Sequence, residues 1–261
     1  MIVKCDNNDY ELIMNYIGDE YGRCLYVYID LFKYRFSNPE FQMWKQTEDD
    51  KITCIVSKYY SGMQIFSREC NYNAEEVAEL IKGLGVTNVF AEQDTLNVIK
   101  PYFDGYNEEI GIVGQLSEIT AEPNESAYRI GMDELPEAAG LVAADEGIGV
   151  PYGYDSLLKQ YTERMEEDFG RNYLLRGGVD NSIACHVATY AETPKIAVIG
   201  GVITSPEFRG KGVSKGVLAK LCRDLKEEGK DVFSFYYIPA AKAMHEGVGF
   251  KTKVVWAKLF K

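Results

Sequence analysis

The segment Ile199–Ser214, which reads IGGVITSPEFRGKGVS, constrains the fold more than any other part of the chain. An apolar run ends in a Ser-Pro-Glu turn, and Gly210-Lys211-Gly212 then precedes an amphipathic stretch. This order predicts a buried strand, a glycine loop and the first turn of a helix. Backbone N–H groups at a helix N-terminus have no partner within the helix, and the helix dipole favours an anion there. The segment therefore predicts a site for a phosphate-bearing ligand.

Two familiar phosphate loops do not fit this segment. A Walker loop requires G-x-x-x-x-G-K-[S/T], but Ser205 stands at its first glycine and Gly212 at its final hydroxyl residue. A dinucleotide-binding loop requires G-x-G-x-x-G after a strand, but Lys215 stands where its third glycine is needed. The loop is therefore of another type.

A third pattern fits in two places. Glu207–Gly212 (EFRGKG) resembles the [Q/R]-x-x-G-x-[G/A] loop of the GNAT acetyltransferase superfamily, with Glu207 departing from it at the first place. Ile238–Phe250 (IPAAKAMHEGVGF) is similar to the family's N-P-x-A-x-x-L-Y-x-x-x-G-F helix, and one predicted helix and one strand separate the two motifs. The resemblance covers Tyr128–Lys261. It implies an α/β (α+β) GNAT fold, in which helices flank a mixed central sheet.

Apolar periodicity and turn residues divide the second half of the chain into alternating elements. The predicted strands cover Tyr128–Gly131, Arg171–Arg176, Ser182–Tyr190, Lys195–Thr204, Asp231–Tyr237 and Lys251–Phe260. The predicted helices cover Met132–Ala144, Asp155–Phe169, Val213–Glu228 and Pro239–Glu246.

The first half repeats the order strand, loop, helix, strand, helix. Where the second half has its glycine loop, the first has SRECNYNAEE, without glycine and with Asn73 as the expected N-cap. The elements predicted there are strands over Phe41–Gln46, Lys51–Lys58, Met63–Ser67 and Val86–Ala91, and helices over Ala74–Gly83 and Asp94–Tyr102. The sequence thus predicts two tandem GNAT-like halves, a degenerate domain over residues 1–120 and an acetyltransferase domain over residues 126–261, joined by Ser117–Ser126.

The resemblance implies acetyl-CoA as the cofactor. Glycines let the backbone approach the pyrophosphate without a Cβ, and the free edge of the preceding strand can pair with the pantetheine amides. The residues implied in cofactor binding are Val202, Ile203, Thr204, Arg209, Gly210, Lys211, Gly212, Val213 and Ser214.

Catalysis is implied less directly. The family often uses a tyrosine of its last helix to protonate the departing thiolate, and His245 stands at that position here. His245 and Tyr237 are the candidate catalytic residues, with Tyr236 as an alternative donor. The candidate acceptor-binding residues are Tyr152, Tyr154 and His186. The general base is left open between a chain of water molecules and an acid of the Asp145-Glu146 loop.

Composition limits the partners. The formal net charge of −12 disfavours nucleic acid and anionic membranes and favours a cationic acceptor, so a small-molecule primary amine is the expected substrate. Six separated cysteines and only two histidines predict no metal site, and the thiols are expected to be reduced in the cytoplasm. A homodimer is a further expectation. The alternative function is an acyl-CoA-binding module that has lost catalysis.

Overall fold

The computed structural model describes residues 1–146, 150 and 152–261. The chain divides into two compact units. The first comprises Met1–Val113 together with Thr252–Lys261, and the second comprises Gly114–Lys251. The final ten residues therefore belong to the first unit, whereas the sequence prediction gave them to the second domain.

The elements follow in chain order. They are β1 (Ile2–Lys4), α1 (Tyr10–Ile17), α2 (Leu25–Tyr34), β2 (Phe41–Glu48), β3 (Lys51–Tyr59), β4 (Gly62–Phe66), α3 (Ala74–Gly83), β5 (Asn88–Glu92), α4 (Gln93–Ile99), β6 (Asn107–Leu116), β7 (Tyr128–Arg129), α5 (Leu135–Ala143), α6 (Tyr154–Glu166), β8 (Asn172–Gly177), β9 (Ser182–Glu192), β10 (Ile196–Thr204), α7 (Val213–Glu227), β11 (Asp231–Tyr236), α8 (Pro239–Glu246) and β12 (Phe250–Phe260).

The first unit is built on a mixed sheet in the order β1-β2-β3-β4-β5-β12. Strands β4 and β5 are parallel, and the other neighbouring pairs are antiparallel. Strand β12 belongs to this sheet because Trp256–Phe260 pairs with Asn88–Glu92. Its side chains Ala257 and Leu259 complete a core shared with α3 and α4.

The sequence prediction missed β1, α1, α2 and β6. Helix α2 reads LYVYIDLFKY, and its tyrosine, valine, isoleucine and phenylalanine side chains favour strands when considered locally. Burial of one helix face, which includes Leu25, Tyr28 and Leu31, stabilises it as a helix instead. The remaining predicted elements of this half occur within a few residues of their expected bounds.

The second unit is a mixed sheet in the order β11-β10-β9-β8-β7, in which only β10 and β11 are parallel. Helices α5 and α6 pack on one face through Leu135, Leu157 and Tyr161. Helix α7 packs on the other face through Val217 and Leu221. The sheet is therefore covered on both sides, as the near-continuous apolar sequence of β10 requires.

The cysteines are free thiols, and all of them except Cys70 are buried. No helix among the described residues has the length and apolar character needed to cross a membrane. Within residues 1–146, 150 and 152–261, no cluster of histidine, cysteine and carboxylate side chains is arranged to hold a metal ion.

Candidate functional site

Strands β10 and β11 separate at one end, which leaves a fork in the sheet. Their parallel pairing begins at Ile196 opposite Asp231 and ends at Ile199 opposite Ser234. Strand β10 nevertheless continues to Thr204, and β11 continues to Tyr236. The last five residues of β10 therefore have no register partner on the β11 side, and their backbone can pair with an extended ligand.

A β-bulge shapes β10 at the fork. Gly200 lies opposite Ala188 and Ile203 lies opposite His186, so β10 has one residue more than β9 across this interval. Gly201, within the bulge, has φ of +60°. A Cβ on Gly201 would lie 3.0 Å from the Tyr161 hydroxyl and 3.1 Å from the Tyr190 hydroxyl. Both the backbone angle and the surrounding rings therefore favour glycine.

The glycine loop leads directly into α7. Gly210 and Gly212 have φ of +75° and +73°, and a Cβ on either would meet no atom within 4 Å. Gly212 is the N-cap of α7, no side chain caps the helix, and its first turn contains no acidic residue. The backbone N–H groups from Gly210 to Ser214 have no hydrogen-bond partner among the described residues. The start of α7 therefore has the unpaired backbone donors that an anion site requires, and the binding of an anion there stays a prediction.

The two basic side chains of the loop differ. Arg209 Nε donates a hydrogen bond to the Thr204 carbonyl at 3.0 Å, and Nη2 lies 3.6 Å from an Asp145 carboxylate oxygen. Lys211 Nζ lies 5.5 Å from the centre of the Phe208 ring. Arg209 therefore fastens the loop to the end of β10, whereas Lys211 is exposed and can contribute its charge to a ligand.

The other residues predicted to bind the cofactor lie at the end of β10 and in the first turn of α7, and their side chains are buried or half-buried. Ile203 is buried against α5 and α6, and half-buried Val202 packs with the core on the α7 side. Thr204 Oγ1 lies 3.8 Å from Cys185 Sγ. Val213 and Ser214 are half-buried in the first turn of α7.

His186 does not line an acceptor site. Its ring is fully buried, with Nδ1 2.7 Å from the Gly201 carbonyl and Nε2 2.9 Å from Asn172 Oδ1. Burial lowers the pKa of His186 to about 4, although the hydrogen bond to Gly201 raises it in part. The prediction of a substrate contact is therefore wrong for this side chain.

His245 is also a core residue. Its Nδ1 donates to the Ala241 carbonyl at 2.8 Å, and its Nε2 accepts from Ser234 Oγ at 2.8 Å. The ring stacks on Tyr236 with 4.7 Å between ring centres, and burial lowers the pKa of His245. With 4% of its surface exposed and both nitrogens engaged, His245 has no free proton to offer a ligand. The geometry contradicts the proposed role as a general acid.

The tyrosine candidates are accessible. Tyr237, directly after β11, is 56% exposed, whereas Tyr236 is buried. Tyr152 and Tyr154 are 59% and 42% exposed at the start of α6. Residues 147–149 and 151 of the predicted acceptor loop lie outside the described residues.

The buried polar side chains behind the bulge were not predicted from the sequence. The Tyr161 hydroxyl is buried without a hydrogen-bond partner in the described structure, and the Tyr161 ring lies 5.8 Å from that of His186. Tyr190 and Asn172 complete the group. The adjacent glycines Gly200 and Gly201 in an apolar strand were the available signal, because such glycines mark bulges and close approaches.

The comparisons with known proteins agree with this geometry. The model of the "Acetyltransferase (GNAT) family" matches residues 124–250, and no curated protein matches the chain. A GNAT-family acetyltransferase from Colwellia psychrerythraea is 14% identical over 100% of both chains, with a TM-score of 0.62. A GCN5-related N-acetyltransferase from Sphaerobacter thermophilus is 15% identical over 100% of this chain and 95% of its own, with a TM-score of 0.67.

A tandem GNAT protein from the clavulanic acid biosynthesis pathway is 13% identical over 100% of this chain and 98% of its own, with a TM-score of 0.59. At these identities the structural likeness concerns the fold, and it extends over both units. Residues 124–250 of this chain therefore match the GNAT acetyltransferase family, and the chain as a whole has the fold of solved GNAT proteins, one of them a tandem GNAT protein.

Proposed function

We propose that the protein is an acetyl-CoA-dependent N-acetyltransferase that acetylates the primary amine of a small molecule. The observation that carries this proposal is the fork between β10 and β11 beside the uncapped N-terminus of α7. An extended arm with amide groups suits the first feature, and a pyrophosphate suits the second. Coenzyme A combines both, so the residues present fit this cofactor.

Each part of the cofactor has a proposed partner. The N–H groups from Gly210 to Ser214 would hold the pyrophosphate, with the positive end of the α7 dipole and the exposed Lys211 adding to the attraction. The unpaired side of β10, from Gly200 to Thr204, would pair with the amides of the arm as an added strand.

Bound acetyl-CoA would supply an acetyl group activated as a thioester. Tyr237, exposed at the end of β11, is the proposed group that delivers a proton from its Oη to the departing sulfur. Strand β10 contains no carboxylate, so the proton released by the amine is expected to leave through water. Tyr152 and Tyr154 are the proposed acceptor-side contacts, and the net charge of −12 favours a cationic acceptor.

Two glycine variants test the cofactor site. Gly210→Glu places a carboxylate in the proposed pyrophosphate site, and CoA affinity measured by calorimetry should fall by at least about 100-fold, because opposed like charges cost several kcal/mol. Gly229→Glu is the matched control, because Gly229 is exposed beyond the other end of α7, has φ of +77° and also has open space at its Cβ. Both variants carry the same backbone strain, but only the first should lose CoA.

Turnover is tested separately by following free thiol from acetyl-CoA with a panel of amines. Unchanged CoA affinity in Gly210→Glu would show that the cofactor site is wrong. Saturable CoA binding without thiol release for any amine would instead favour a CoA-binding module without catalysis. Two observations favour this second function. His245 is buried and cannot act as a general acid, and β10 contains no carboxylate that could act as a general base.

A further inference from the structure

The peptide between Gly201 and Val202 is fixed from one side by a buried histidine. His186 on β9 reaches across the bulge, and its Nδ1 lies 2.7 Å from the Gly201 carbonyl oxygen. A carbonyl only accepts hydrogen bonds, so Nδ1 carries the proton. Because the bulge separates this peptide from the regular ladder, the histidine replaces the backbone hydrogen bond that a paired strand would supply.

Asn172 selects this form of the ring. Burial keeps His186 neutral, so the ring has a single N–H. Its other nitrogen, Nε2, lies 2.9 Å from Asn172 Oδ1, and Asn172 Nδ2 lies 3.3 Å from Met165 Sδ. A half-turn of this amide exchanges the weak contact with sulfur for a hydrogen bond from its NH2 group to Nε2. Asn172 is itself buried at the start of β8. A polar chain therefore runs across three strands, from Asn172 through His186 to Gly201.

The fixed carbonyl determines where the next N–H points. The peptide bonds of the described residues are trans, so the Gly201 carbonyl and the Val202 N–H point in opposite directions. The carbonyl points towards the His186 ring, which lies beside Tyr161 of α6, and the Val202 N–H therefore points away from that ring. At this residue β10 has already parted from β11, whose pairing ended at Ile199.

The surroundings oppose reorientation of this peptide. The Tyr161 and Tyr190 hydroxyls and the His186 ring edge approach Gly201 so closely that a Cβ there would lie 3.0 to 3.3 Å from all three. Rotation would also break the bond to His186 and bury an unpaired carbonyl, which is unfavourable.

We infer that His186 is a positioning residue, which aims the Val202 N–H into the fork as a hydrogen-bond donor for a carbonyl of the acetyl-CoA arm. This inference rests on the proposed function. His186 itself does not touch the ligand. A donor fixed before binding stabilises a carbonyl without having to reorganise, and this gives the histidine an effect on turnover.

Three variants of the full chain test the inference. His186→Leu removes the bond to Gly201. His186→Asn retains an N–H donor near the position of Nδ1. Thr189→Val is the matched control, because Thr189 is also buried on β9 and its hydroxyl contacts Glu192 at 2.6 Å and the Arg171 N–H at 2.8 Å, not the Gly201 peptide.

We expect His186→Leu to lower kcat for amine acetylation by about 10- to 100-fold, since loss of one fixed donor costs up to about 1,000-fold. Its CoA affinity should stay within about twofold, because the pyrophosphate site is untouched. His186→Asn should recover most of kcat, and Thr189→Val should keep it. Unchanged kcat in His186→Leu, or an equal loss in Thr189→Val, would overturn the inference.

Two spectroscopic measurements do not depend on turnover. The imidazole nitrogen spectrum of the ligand-free protein should show a neutral His186 protonated at Nδ1, and a proton on Nε2 would contradict the inference. The Val202 amide resonance should shift when acetyl-CoA binds to the wild type and shift less in His186→Leu. If the wild type turns over no amine, the proposed catalysis fails, and this shift still decides the role of His186.

Discussion

Each unit contains a pair of parallel strands that separate, but the two forks are occupied differently. In the first unit, β4 and β5 pair from Gly62 to Gln64 and then part, as β10 and β11 do in the second. The side chain of Arg23 fills this first fork. Its Nε lies 2.5 Å from Glu92 at the end of β5, and its Nη1 donates to the Arg68 carbonyl beyond β4 at 3.1 Å.

The helices that follow the two forks differ at their N-termini, because side chains of the first unit cap α3 and no side chain caps α7. Helix α3 has Asn73 as its N-cap, which accepts a hydrogen bond from the Glu76 N–H at 3.1 Å. Glu75 and Glu76 lie in its first turn, where their charges satisfy the helix dipole. Helix α7 has neither a capping side chain nor an acidic first turn.

The first unit therefore fills with its own side chains the positions that stay unfilled in the second, where we propose that coenzyme A binds. An arginine occupies the gap between the strands, and carboxylates occupy the anion site of the helix. The common fold consequently does not imply a common function. The presence or absence of a few side chains at the fork distinguishes the first unit from the proposed binding site of the second.

Binding stoichiometry gives the largest effect. One CoA should bind per chain, and Gly210→Glu should abolish it, because α3 repels a phosphate and Arg23 fills the first fork. Arg23→Ala should not create a second site, since Asn73 and Glu76 still occupy the start of α3. Calorimetry that finds two sites, or a CoA affinity in Gly210→Glu that falls by less than about 100-fold, would break the comparison.

Removing the charge that pairs with Arg23 should destabilise the first unit. Glu92→Gln leaves the Arg23 guanidinium, 18% exposed, with only the more distant Glu20 carboxylate at 3.6 Å, and the expected loss is about 2 kcal/mol in the free energy of unfolding. Both tryptophans, Trp44 and Trp256, belong to the first unit, so their fluorescence during urea unfolding reports this loss.

The control for this measurement is Glu108→Gln. It removes the carboxylate 2.7 Å from Lys100, a pair whose lysine side chain is 48% exposed. An exposed pair contributes little, so the unfolding midpoint should barely move. An equal shift in both variants would mean that Arg23 does not depend on Glu92.

Acidification should have opposite effects on the two units. Burial raises the pKa of Asp30 on α2 from 3.8 to about 7, and the nearby charge of Lys33 opposes this shift in part. The contribution of Asp30 to stability is therefore complete below about pH 4 and is lost as pH rises through 7. Burial lowers the pKa of His186 from 6.5 to about 4, so its contribution is complete above pH 6.5 and is lost as pH falls through 4.

As pH falls from 7 to 5, Asp30 should stabilise the first unit and His186 should destabilise the second. Each effect should reach up to about 1 kcal/mol per pH unit. Tryptophan fluorescence follows the first unit, and far-UV circular dichroism follows both. Asp30→Asn should remove the trend of the first unit, and His186→Asn should weaken that of the second. Parallel trends in the unaltered chain would contradict the assignment of these two groups.

Local sequence predicted the parts of the site that depend on local chemistry. Gly210 and Gly212 adopt the left-handed conformation that a glycine loop permits, and α8 begins at Pro239 and ends at Glu246, as expected. The fold of the second unit follows from the same signals, because its helices and strands have clear apolar periodicity.

The histidines show where such reasoning fails. A sequence reports that a side chain can titrate, but its burial depends on partners that are distant in the chain. His186 meets Gly201 and Asn172 only after three strands have paired, and His245 meets Ser234 only when α8 packs on β11. Arg23 likewise finds Glu92 at a separation of 69 residues.

Strand β12 has a consequence for the order in which the chain can fold during synthesis. Residues 252–261 emerge from the ribosome after every residue of the second unit, yet Ala257 and Leu259 are buried in the core of the first. Domains generally fold as they are made, with the N-terminal one first. Here the first unit to be synthesised is the last that can close its core, and until then the edge of β5 that β12 covers stays open to other strands.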